Sequence, residues 1–99
     1  MNKQQALQSI KRYEELSSGF GGVHLEALRE ARRITWALRH GPIRDPYFLE
    51  KVASLEQWAD VGFSARKHTK HRGGADQVKV FALSDLSTAQ NLIERQWPE

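Results

Sequence analysis

The stretch VGFSARKHTKHRGGADQVKVFAL, residues 61–83, decides how this chain is read. Its first arm places Val61, Phe63 and Ala65 at alternate positions, and its second arm carries Val78, Val80 and Phe81. Alternation is the period of a half-buried strand. Between the arms, His71 to Asp76 has the glycine-rich chemistry of a hairpin turn. The spacing therefore predicts strands at about 61–68 and 77–83, paired as one ribbon. The same stretch concentrates positive charge. From Phe63 to Phe81 stand Arg66, Lys67, Lys70, Arg72 and Lys79 against a single acid, Asp76, while the whole chain carries only +3. His68 and His71 can add charge below about pH 6.5. A local cationic element on a near-neutral body is the footprint of a polyanion contact. The same composition also serves a solvated loop.

Working outward, the flanking segments read as helices. Residues 3–17 place Ala6, Ile10 and Tyr13 on one face, and the stretch from Ser17 to Gly22 breaks the pattern with three glycines. Residues 23–40 carry the clearest stripe: Ala27, Leu28, Ala31, Ile34, Thr35 and Leu38. That helix ends where Gly41 suits the left-handed position after a helix and Pro42 follows. Asp45 as N-cap and Pro46 at the first helical position open a helix over 46–59, with Phe48, Val52, Leu55 and Ala59 inward. After the ribbon, Ser84 and Asp85 would cap a helix over 85–97 that buries Leu86, Ala89, Ile93 and Trp97. The expected class is mainly α with a β-hairpin (α+β), in one domain of 99 residues.

Composition narrows the function classes. Hydrophobic residues at 39% and charged residues at 27% are globular proportions. A core this small is thin, and a homodimer would enlarge it. The absence of cysteine removes disulfides and thiolate sites and fits a reducing compartment. No apolar run approaches the ~20 residues that span a bilayer, and residues 1–16 lack the apolar centre of a signal peptide. The expected location is cytoplasmic, with no membrane partner.

No hydrolase elbow, zinc-protease pair or P-loop is present, so the reading is not an enzyme, and no cofactor is implied. His68 and His71 sit three apart amid cations, which argues against a metal ion. Gly19 to Gly22 before a helix suits a flexible turn better than a phosphate cradle, because no strand precedes it and no P-loop lysine follows. Trp36 lies opposite its helix's apolar stripe, with Leu25, Arg29, Arg32, Arg33 and His40 on the same side. Two readings stay open. The N-terminal helix covers Trp36, or Trp36 is an interface anchor, stacking platform or phosphate-binding face. Trp58 and Trp97 lie near their apolar faces and read as core.

Leu55 to Arg66 resembles the exit of a recognition helix into a wing strand in winged helix-turn-helix proteins. Val78 to Leu86 is similar to the returning wing strand and the helix after it, and Leu38 to Ile43 to the end of that fold's first helix. The resemblance covers roughly residues 27–97. It implies a winged-helix-like domain that binds DNA through a helix in the major groove and a wing on the backbone. On that reading Arg66, Lys67, His68, Lys70, His71, Arg72 and Lys79 meet the nucleic acid, with Lys51 and Gln57 on the 46–59 helix as base readers. The expected function is a small DNA-binding protein, a transcriptional regulator or accessory factor. The alternative is a protein-interaction module, an adaptor or inhibitor that docks an acidic protein surface. Its hot spot would be Trp36 with Arg29, Arg32 and Arg33.

Overall fold

The structure, a computed structural model, describes residues 1–19, 25–64, 67 and 73–98. Among them are four helices and no strand: α1 (Lys3–Ser17), α2 (Leu25–Arg39), α3 (Pro46–Gly62) and α4 (Gly74–Gln96). The predicted α+β class and winged-helix resemblance are thereby overturned. Neither arm of the expected ribbon is a strand where it is described. Val61 and Gly62 extend α3, and Phe63 caps it as a buried core residue. The second arm lies wholly within α4.

The physical reason is visible along α4. Val78, Ala82, Asp85, Leu86, Ala89 and Ile93 are buried at steps of three, four and one, a single helical stripe. Val80, which alternation would place beside Val78, is instead 62% exposed. The helix begins at Gly74, about three turns before the predicted start at residue 85. Gly73 occupies its N-cap at φ 94°, a left-handed conformation that favours glycine. Asp85, read as a cap, therefore sits inside the helix.

The other elements follow their local chemistry. Asn2 and Gln5 form a reciprocal capping box at the start of α1, with bonds of 2.8 and 2.9 Å. Asp45 accepts the Tyr47 amide at 2.9 Å with Pro46 behind it, as expected. The Gln96 amide also reaches Asp45, and these bonds, that from Gln96 foremost, hold its carboxyl below the usual range. Gly41 does not have the positive φ anticipated for it. It is small for another reason: a Cβ there would lie 2.6 Å from the Trp97 ring, which packs over this turn.

Each helix packs on its two neighbours in the order α1, α2, α3, α4 and back to α1. Lys79, near the start of α4, meets Ser18 at the end of α1, whereas Gln96 meets Asp45 at the start of α3. Arg32 reaches Asp60 and Arg39 reaches Glu56, so α2 and α3 run in opposite directions. The result is an up-down-up-down bundle. Ile10, Tyr13, Ile34, Leu38, Phe48, Leu55, Phe63 and Ile93 fill its axis. The chain ends of α1 and α3 and the starts of α2 and α4 share one end of it.

Tyr13 crosses the core and donates its hydroxyl to the Leu55 carbonyl. Its burial, and then the carboxylates of Asp60, Asp85 and Glu56, push the phenol far above the ordinary value of 10.0. Above that pH the unfolded chain releases this proton and the folded chain keeps it. Stability from this group is therefore complete below about pH 10 and declines as pH rises further, by ~1.4 kcal/mol per unit. Tyr13→Phe should lose about 1 kcal/mol at neutral pH. It should also show a shallower alkaline decline than the parent in urea titrations at stepped pH.

Candidate functional site

Helix α2 has one face toward the core and one away from it. Ala31, Ile34, Thr35 and Leu38 are buried, so residues 25, 29, 32, 33, 36 and 40 fall on the outer side. No described helix covers Trp36 on that side. Trp36 is 60% exposed, which rules out the reading that places it beneath the N-terminal helix. The His40 ring stacks on the indole at 4.2 Å between centroids and 17° between planes, with Nδ1 2.9 Å from the Trp36 carbonyl. The stack and this contact together fix the two rings against each other.

Arginines surround it. Arg32 Nη2 lies 2.6 Å from an Asp60 carboxylate oxygen, and Arg39 pairs with Glu56. Arg33 makes a two-pronged contact with Glu30, at 2.5 and 3.2 Å. That bond draws the Glu30 carboxyl below its usual range and raises the Arg33 guanidinium. Arg29 has no ion pair among the described residues. Asp60 has a second role: Lys67 Nζ is 4.0 Å from its other oxygen. Asp60 thus brings Lys67 beside the arginine face of α2. The joining pairs are exposed, and such pairs contribute little and exchange readily with other anions.

The remaining predicted residues are placed elsewhere. Lys51 turns inward, 3.4 Å from Asp85 and 5.3 Å from the Tyr47 ring centre. Gln57 is exposed, but it shares a shallow groove with Glu50, Glu56 and Asp60. The outer side of α3 therefore presents carboxylates, and a phosphate backbone would be repelled there. The Lys79 ammonium donates to the Ser18 carbonyl at 3.1 Å. Arg66, His68, Lys70, His71 and Arg72 lie outside the described residues, as do residues 20–24 with most of the glycine-rich turn. Trp97 is buried as expected, whereas Trp58 is only half buried and stacks on Phe81.

Sequence reasoning missed one cluster. Asp85, 9% exposed, accepts from Ser54 Oγ and from the Trp58 indole at 3.1 Å, with Lys51 close by. Residues 51, 54 and 58 recur at three and four along α3, a polar stripe beside its apolar face that was the available signal. The cluster ties α3 to α4. Among the described residues no group of side chains could hold a metal ion, and no described helix is long and apolar enough to cross a membrane. No family model, curated protein or solved structure matches the chain.

Proposed function

We propose that the protein binds nucleic acid, with DNA as the leading class, through the outer face of α2 and the adjoining bundle end. The observation that carries this reading is Asp60, shared by Lys67 and Arg32. It brings Lys67, from the segment where cations are concentrated, beside the arginines around Trp36, although the two are far apart in sequence. Phosphates would displace the carboxylates from Lys67, Arg32 and Arg33 and would meet Arg29 directly. Contacts of this kind position a backbone without reading bases, so sequence preference should be weak. The contact element is a helix face, not a wing.

Titration of labelled random-sequence DNA, single- and double-stranded, at stepped salt tests this. Affinity should fall steeply with salt. Arg29→Ala, Arg32→Ala and Arg33→Ala combined should flatten the logarithmic salt slope by up to about 3 units, roughly one per lost phosphate contact. A triple variant that binds as the parent does would remove the face from consideration.

A second reading has one observation in its favour. Carboxylates already border three of the arginines near Trp36, Arg32, Arg33 and Arg39, which resembles the polar rim around an aromatic anchor in protein interfaces. On that reading Trp36 docks an acidic protein surface, and the parent protein leaves both DNA forms unbound even at low salt.

A further inference from the structure

We infer that Trp36 and His40 form a stacking platform for an unpaired base, so that the nucleic acid this face takes is single-stranded. The inference rests on the nucleic-acid reading above and sharpens it to a ligand class.

Three features point the same way. The indole and imidazole rings are parallel and in contact, and Trp36 remains 60% open to solvent. A double helix offers phosphates and base edges, and its base faces are already stacked on each other. A flat aromatic surface therefore gains little from a duplex and much from a strand whose bases are free, since every base has a π-face.

The second feature is the position of the cations. Arg33 and Arg29 lie about one and two turns before Trp36 on the same outer face, and Arg32 leads from there to Lys67 through Asp60. Aromatic groups interleaved with cations along a track are the arrangement that follows a single strand, bases on rings and phosphates on guanidinium groups. The third is what lies beside the track. Glu56 and Asp60 edge it on the α3 side, and Glu50 lies beyond them. A duplex, about twice as wide as a strand and charged on both backbones, would press one backbone toward those carboxylates. A strand that keeps to Trp36, Arg33 and Arg29 stays to one side of Glu50 and Glu56 and meets Asp60 only where Arg32 and Lys67 flank that carboxylate.

The test compares a dT oligomer of roughly 12 nucleotides with a random duplex of equal length, at low salt, using the full chain. Parent protein should prefer the oligomer. Trp36→Ala should weaken oligomer binding by roughly 5- to 100-fold and change duplex binding little. Trp36→Phe should restore most of the loss, because it keeps a ring. Bound oligomer should also shield the exposed indole from a soluble fluorescence quencher in the parent. Circular dichroism should confirm that Trp36→Ala folds as the parent does, since this side chain is outside the core. Equal losses on oligomer and duplex, or no loss on either, would overturn the platform. If the arginine triple variant loses binding and Trp36→Ala keeps it, the platform fails and the proposed function stands. If the parent binds neither probe, both fall.

Discussion

Asp85→Ala should destabilise the bundle by about 3 kcal/mol, a loss that urea unfolding will show as a lower midpoint with an unchanged slope. The carboxylate lies between α3 and α4 and accepts from Ser54 and Trp58 while facing Lys51. Alanine leaves the indole N–H, the hydroxyl and a half-buried ammonium without their shared acceptor. Removing one member of such a set costs more than the set contributes as a whole, because desolvated partners remain behind. Asn should be milder, at about 1 kcal/mol: its carbonyl oxygen can still accept from Ser54 and Trp58, and only the attraction to Lys51 goes. For a domain with net stability of roughly 5–15 kcal/mol, the alanine change is a large fraction. A midpoint equal to the parent's would mean that α3 and α4 are held by apolar packing alone.

Val78→Asp and Val80→Asp should differ by at least about 4 kcal/mol, although the two residues are nearly adjacent. Val78 is fully buried and Val80 is 62% exposed. At position 78 aspartate places a charge in the apolar core, and the variant should be largely unfolded by far-ultraviolet circular dichroism. At position 80 the effect should stay within roughly 0.5 kcal/mol. A strand would put both side chains on one face and make the two changes similar, so this pair decides between helix and ribbon over 77–83.

The local pattern over 77–83 favours a ribbon for a physical reason. Over Val78, Lys79, Val80 and Phe81, alternation and helical spacing cannot be told apart, since each needs more residues than that to declare itself. The longer pattern from Val78 to Ile93 is helical, but Ser84 and Asp85 interrupt it with two polar residues typical of an N-cap. Only partners on another helix make a buried Asp85 acceptable, and a single segment carries no information about those partners. Gly73 and Gly74 mark a turn under either reading, and their positive φ closes the start of α4.

The candidate site divides in the same way. That Trp36 shares a helix side with Arg29, Arg32, Arg33 and His40 follows from 100° per residue, and was legible. That the side faces outward was not, because a helix packed on both flanks would have shown the same stripe. Nor could spacing reveal that Lys67 and Arg32, 35 positions apart, meet over one carboxylate.

From the chain alone came three amphipathic helices, their boundaries near glycine and proline, the concentration of charge before residue 80, and the grouping of arginines with one tryptophan. These depend on neighbours within a turn or two, whose interactions the order of residues specifies directly. Tertiary structure alone decided that α4 is one continuous helix, that Asp85 and Lys51 point inward, and that Trp36 stays uncovered. Each of these turns on whether a side chain finds a complementary partner on a different helix, and desolvation makes the presence or absence of that partner outweigh any local preference.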